Sequence, residues 1–538
     1  SMAETRPGRK LQIGPYSLPI TSDQIENQRR GTPFWQILSK VGVPATILRM
    51  PTDFPPIECE AHSLAGMGTP DLLGTFGTFS FFTDRDDWQN RKLTGGAVFP
   101  VTVANHHADL QVAGPVNTHV KIDAFVDPTE PVARFDLEGH RVVLKQGELS
   151  DWIPVRFPLI PALADARGMI RIYAKELHPN FAVYVSPVNI DPRDPAMPIS
   201  EPKSFSSDLA KANGAFYTQG MPEETNALKD EIFTDDDYAS QVALVAKDGE
   251  AMLDLSLTRF EPGDMTFVYL SDIDLQCHML WRHKDPKYPG APPHPAYEET
   301  AAHAHADDIE GYYRHVDGLL GKVRGRLPAD STLIVMSDHG FQPYTREVHL
   351  NAWLRDRGWL VLKDGKQTGQ IANDDVDWTR TRAYGIGFNS VYLNLAGREA
   401  QGIVQPAEVD AVLVKLAGEL VGFADPANGK QIVRRVLVGK DVFHGSRTAE
   451  APDLVVGYDI GYGASDETTL GEVVTEVIAD NTSRWSGNHL MDPQVVPGIL
   501  LSNRKIAQDG HELTDVTMTI LALYGLPANP GMSGTSIF

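Results

Sequence analysis

Cysteine is almost absent from this chain. Two residues, Cys59 and Cys277, occur in 538, too few for a disulfide framework and without the paired spacing of a structural zinc site. Any metal centre must therefore be built from carboxylates and imidazoles. Long apolar runs are missing too: none approaches the roughly 20 residues that a membrane-spanning helix needs. No secretory leader pattern opens the chain. Ser1-Met2 reads as a cloning remnant, so the compartment stays open, with a lean to the cytoplasm. Positive charge is scarce: 48 Lys and Arg stand against 71 Asp and Glu, a net charge of −23. That balance argues against a nucleic-acid polymer as partner, because non-specific affinity for one comes from clustered Lys and Arg. An acidic surface with a local cationic metal site suits a small anionic substrate better. There is no internal repeat and no long low-complexity tract.

What is present is a core-forming composition, 42% hydrophobic, over a length that implies several domains or one large α/β domain with insertions. The first thirty residues are polar and irregular. Thr32 as N-cap and Pro33 at the first helical position open a helix over residues 34–40, and residues 45–50 read as the next strand. A helix followed by a parallel strand presupposes a strand before the helix, and none is legible before Thr32. From about residue 79 the texture turns to alternating, β-branched segments such as 118–125, 141–144, 170–174 and 181–185, broken by turn dipeptides. Adjacent His106 and His107 in this region point to opposite faces if they lie on a strand. Helical patterns return after Pro202, with long helices over 238–260 and 301–327 and a last one over 516–524. Strands are read at 390–395, 454–458 and 496–501. The expected fold class is α/β, a three-layer αβα mainly parallel sheet with an inserted antiparallel β domain. The expected domains are 1–78, an N-terminal part of the α/β core with its first strand missing; 79–200, the β-rich insertion; and 201–538, the main α/β metal-binding core.

The chemistry concentrates at strand ends. The apolar run 333–336 reads as a buried parallel strand, and Ser337-Asp338-His339-Gly340-Phe341 follows it, where open α/β sheets place their reactive groups. Asp338 and His339 read equally as a metal-ligand pair or as a strand-end cap with its hydrogen-bonded neighbour. The strand candidate 266–270 leads into Ser271-Asp272-Ile273-Asp274, and His278 stands four residues after Asp274, so the two share a helix face and can grip one ion. Asp272 competes with Asp274 but lacks a His at that spacing, and an acid-rich helix start also serves capping. His489, in Trp485-Ser486-Gly487-Asn488-His489, gains weight from the other two pieces. His303 and His305 read as a solvated helix end. His349, Arg346 and Asn389 follow strand-like segments and are candidate phosphate contacts or structural residues.

Asp274-x-x-x-His278, Ser337-Asp338-His339-Gly340 and the late Gly487-x-His489, in that order, resemble the alkaline phosphatase superfamily, in its type I phosphodiesterase/nucleotide pyrophosphatase branch. Gly66-Met67-Gly68-Thr69-Pro70-Asp71, His278-Met279-Leu280-Trp281-Arg282, the stretch from Tyr184 to Pro192 and Val348-His349-Leu350-Asn351 are similar to a bacterial subgroup carrying a β insertion. The resemblance implies an alkaline phosphatase-like fold and a hydrolase of phosphoric esters acting by two-metal, in-line phosphoryl transfer. It implies two divalent metal ions, zinc by preference and manganese as the alternative. Carried over by motif, Asp274, His278 and His489 hold one ion, and Asp338 and His339 contribute to the second. The implied partner is a small anionic phosphoester substrate.

The resemblance also implies a metal-binding Asp at the end of the first strand and a Thr or Ser nucleophile shortly after it. Neither is matched here. Asp53 and Asp71 follow strand- or loop-like segments in the wrong order, and Thr69, Thr75 and Thr78 lie in a Gly-rich loop. The expectation is an incomplete site, finished by a missing segment or a second chain. The alternatives are a non-catalytic metal- or ligand-binding relative, or a phosphomutase or sulfatase of the same superfamily.

Overall fold

In a computed structural model that describes residues 3–6, 10–13, 16–19, 24–89, 91–160, 164–284, 293–507 and 509–538, the chain forms two compact units. One comprises residues 1–275, 313–331 and 506–538; the other comprises 276–312 and 332–505. The architecture is mixed α/β with several sheets, and no closed barrel occurs among the described residues. No helix among the described residues is long and apolar enough to cross a membrane.

In the first unit, helix Phe34–Lys40 and strand Ala45–Met50 form where the sequence places them. Thr32 is not the cap: Pro33 precedes the helix in an extended conformation without a side-chain cap bond. Its fixed φ sets the chain's entry instead. Strand Ala45–Met50 is flanked by His62–Ala65 and Met265–Val268, both parallel to it, and Ser200–Glu201 adds antiparallel to the far side of His62–Ala65. Successive strand residues point to opposite faces, and the packing follows that rule. Ile47 joins Phe34, Trp35, Leu38 and the last helix's Ile520 and Leu521, whereas Leu48 joins Leu64, Phe205, Leu209 and Met252.

Strands do precede Thr32, contrary to the reading of an irregular start. Ala3–Arg6 pairs antiparallel with Gln24–Asn27, and Lys10–Ile13 with Tyr16–Pro19. These are short local pairings, and the neighbours of Ala45–Met50 come from later segments. The β-rich region is antiparallel in the order His140–Lys145, Val132–Leu137, His119–Val126, His107–Ala113, around buried Leu110, Ile122, Phe135 and Phe157. One of its pairings, Phe79–Thr83 with Gly96–Pro100, is parallel.

Helix Asp235–Arg259 begins three residues before the periodicity does. Thr234 Oγ1 accepts from Asp237 N, and the Asp237 carboxylate accepts from Thr234 N, a reciprocal capping box that extends it. The single helix expected over 301–327 is two, Glu299–His305 and Asp308–Arg326. The last helix starts earlier than expected, at Leu513 rather than at Val516, because Glu512 and Asp515 cap it reciprocally.

In the second unit, Gln342–Val348 pairs with Gly461–Ala464, Ile478–Asp480 and Gly487–Asn488. A second sheet runs Ala383–Gly385, Ser390–Leu393, Leu454–Tyr458, Val433–Val438. Its core gathers Leu354, Val391, Leu393, Leu416, Leu454, Val456 and Tyr458. The run before Asp338 forms a strand, Ile334–Met336, but it is half-buried and antiparallel to Leu500–Ser502. Apolar content alone does not distinguish a parallel from an antiparallel neighbour. The strand expected over 496–501 is cut to Leu500–Ser502. Pro497 offers no N–H, and a side chain at Gly498 would meet the Ser337 carbonyl at 2.5 Å.

Candidate metal centre

Three histidines from distant parts of the sequence converge in the second unit. His278 lies on helix Asp272–Leu280, His339 follows strand Ile334–Met336, and His489 follows Gly487–Asn488. The rings of His339 and His489 stack at 3.6 Å with 10° between planes, and His278 lies 5.0 Å from His489. A ligand nitrogen of His339 and one of His489 are within 4.8 Å of each other. Asp338 Oδ2 stands 3.5 Å from His339 Nε2 with its side chain 65% exposed. Asp274 is one turn before His278, on the same face of the same helix.

The loops that carry these side chains are held by close backbone packing. Gly487 must be glycine, because a Cβ there would lie 2.1 Å from the Cys277 carbonyl oxygen. That approach brings the Gly487 carbonyl to 2.8 Å from His278 Nδ1, and Ser486 N donates to the His278 carbonyl at 2.7 Å. Ser486 Oγ accepts from Arg282 N at 2.9 Å, and Asn481 Nδ2 donates to the Trp485 carbonyl at 2.8 Å. Gly340 is held by an equally close approach. A Cβ there would meet the Pro497 carbonyl at 2.6 Å, and Gly340 N donates to the Val496 carbonyl at 2.9 Å. Ser337 completes the clasp, its Oγ accepting from Ile499 N at 2.9 Å.

The electrostatics favour neutral imidazoles at His278 and His489. His278 is 4% exposed; burial holds its protonation well below the usual histidine range, reinforced by the nearby His489. His489 is pushed down to about 4 by burial and by His339, with the Asp338 carboxylate opposing. A carbonyl can only accept, so His278 Nδ1 carries the proton and its lone pair is on Nε2. That is the tautomer a metal-ligating histidine needs. His339 Nδ1 lies 3.2 Å from the Gly340 carbonyl. The donor set of imidazole nitrogens and carboxylate oxygens fits zinc or manganese.

Sequence reasoning missed the aromatic wall. Trp485 stacks on His278 at 3.8 Å, and Phe341 meets the rings of His278, His339 and His489 edge-on at 4.8, 5.5 and 5.2 Å. Both stand inside motifs already singled out, which was the available signal. Of the candidate phosphate contacts, Arg346 is held by Asp425 at 3.1 and 3.2 Å and by Asp480. His349 Nδ1 lies 2.8 Å from Ser465 Oγ. Asn389 has a left-handed backbone and donates to the carbonyl of Leu490, next to His489, at 2.9 Å. Asp272 is buried, which raises its carboxyl, with Arg49 and His315 opposing. His107 joins Asp109 and Asp123, but Lys121 bridges both carboxylates at 3.0 and 2.9 Å and supplies the positive charge there.

The family model described as type I phosphodiesterase / nucleotide pyrophosphatase matches residues 197–486, more than half of the chain. No curated protein and no solved structure matches.

Proposed function

The chain belongs to the type I phosphodiesterase / nucleotide pyrophosphatase family, and from that premise we propose that it is a metal-dependent hydrolase of phosphoric esters whose cations are bound by Asp274, His278, Asp338, His339 and His489. The observation that carries the metal reading is the convergence of three imidazoles with His278 fixed in the ligating tautomer. Asp274, His278 and His489 are assigned to one divalent ion, and Asp338 and His339 to a second. Zinc is the first choice and manganese the second. When bound, such a cation pair activates a nucleophile and stabilises the leaving oxygen of an in-line displacement.

The protein's own residues supply position and environment. The Gly487 carbonyl orients His278, and Trp485 and Phe341 pack against its ring. His278 and His489, held neutral at pH 7 by burial, have lone pairs available without prior proton release. The substrate is a small phosphoester. No Ser or Thr in this chain is assigned as nucleophile, so the reading covers the metal-binding half of the chemistry and expects little turnover from the chain alone.

Zinc and manganese titrations, followed by hydrolysis of an aryl phosphodiester, test the proposal. The expected result is divalent-metal binding that His339→Ala abolishes. Zinc binding unaffected by His339→Ala would overturn the ligand assignment. Full turnover by this chain would overturn the view that its nucleophile is absent.

A further inference from the structure

A buried glutamate stands behind the start of the helix that carries Asp274 and His278. Glu223 is 3% exposed. Its Oε1 accepts the Ser271 hydroxyl proton at 2.5 Å, across 48 residues of sequence. Its Oε2 is buried and has no hydrogen-bond partner among the described residues. Ser271, itself buried, immediately precedes helix Asp272–Leu280, and its carbonyl accepts from Leu275 N at 3.2 Å. It thus occupies the N-cap position. A serine there ordinarily turns its oxygen inward to a first-turn N–H, whereas this one sends its proton out to a carboxyl from another segment.

The frame around Glu223 is rigid. Gln241, buried on helix Asp235–Arg259, donates from Nε2 to the Pro222 carbonyl at 2.9 Å and accepts from Glu224 N at 3.1 Å. One amide side chain therefore grips the backbone on both sides of Glu223. Burying a carboxyl with one oxygen unsatisfied is costly. A contact needed for packing alone is met more cheaply by an apolar residue, so the retained carboxyl indicates a directional task.

We propose that Glu223 is a positioning residue for the metal centre: by holding Ser271 it fixes the first turn of helix Asp272–Leu280, and hence where Asp274 presents its carboxylate. This rests on the metal-centre reading above. Outer groups that orient ligands typically change metal affinity about 10–100-fold when removed, because ligating geometry tolerates errors of only about 0.5 Å.

Zinc affinity measured by calorimetry on the full chain tests it, with Glu223→Ala, Glu223→Gln, Ser271→Ala and the Glu223→Ala/Ser271→Ala pair. Each alanine variant is expected to bind zinc about 10–100-fold more weakly. The double variant should be no weaker than the worse single, since both remove the same tether. Glu223→Gln keeps an acceptor at Oε1 and is expected to restore most of the affinity, a rescue that a bulk-packing role does not require. Wild-type protein that binds no zinc overturns the metal-centre reading. Wild-type binding with full affinity retained in Glu223→Ala overturns the positioning role alone. Should Glu223→Ala fail to fold, undiminished zinc affinity in Ser271→Ala overturns it equally.

Discussion

Replacing Gly487 by alanine places a methyl group 2.1 Å from the Cys277 carbonyl oxygen, 3.0 Å from its carbon and 3.2 Å from the Trp281 Cβ. The two nearest atoms are backbone, so no rotamer change relieves the clash. The loop carrying His489 must back away by an ångström or more. That movement breaks the 2.8 Å bond between the Gly487 carbonyl and His278 Nδ1 and leaves a buried imidazole N–H unsatisfied. Overpacking costs about 1–3 kcal/mol and the orphaned donor about 1–3 kcal/mol, so a destabilisation of about 2–6 kcal/mol is expected. Zinc affinity should fall about 10–100-fold, as when a ligand-orienting partner is lost. Thermal unfolding and zinc calorimetry measure the two effects separately. Gly418 is the control: nothing lies within 4 Å of a Cβ there, and in helix Val409–Val421 alanine should stabilise by up to about 1 kcal/mol. A Gly487→Ala protein with wild-type melting temperature and zinc affinity would refute the reasoning.

Two further outcomes follow from buried charge. Asp53 is fully buried, and desolvation raises its carboxyl from 3.8 to about 7 even though Arg29 pairs with it at 2.8 Å. Between those values the unfolded chain is ionised while the folded one retains the proton, so stability falls as pH rises through that window. The drop is about 4 kcal/mol at most, from a shift of about three pH units. Urea unfolding at pH 4 and pH 8 should show it, and Asp53→Asn should flatten the difference; an equal slope in both proteins refutes the assignment. Arg346→Ala removes both Arg346 contacts from Asp425, which keeps hydrogen bonds from Ala427 N, Asn428 Nδ2 and Tyr462 Oη, so a cost of about 1–3 kcal/mol by urea unfolding is expected. Arg346→Lys should recover only part, since an ammonium does not reproduce the two-pronged contact. An Arg346→Ala protein of wild-type stability that binds inorganic phosphate more weakly would instead assign Arg346 to phosphate binding.

Local signals in the sequence determined much of the outline. Pro33 at the helix start and the strand-forming residues 45–50 fix helix Phe34–Lys40 and strand Ala45–Met50, because local propensities act within a few residues. The same holds for strand Leu454–Tyr458 and for the antiparallel character of most of the β-rich region. Asp274 and His278 share a helix face by spacing alone, and His339 and His489 stand in motifs a reader can mark. Tertiary structure decided what depends on neighbours distant in sequence. It made Ile334–Met336 antiparallel, because its partner comes from residues 500–502. It gave Gly340 and Gly487 their purpose, a close approach to carbonyls that no periodicity foretells. It also set the His278 tautomer through a carbonyl 209 residues away. Sequence encodes which side chains carry ligand atoms; their orientation and protonation come from hydrogen bonds that exist only after the chain has folded.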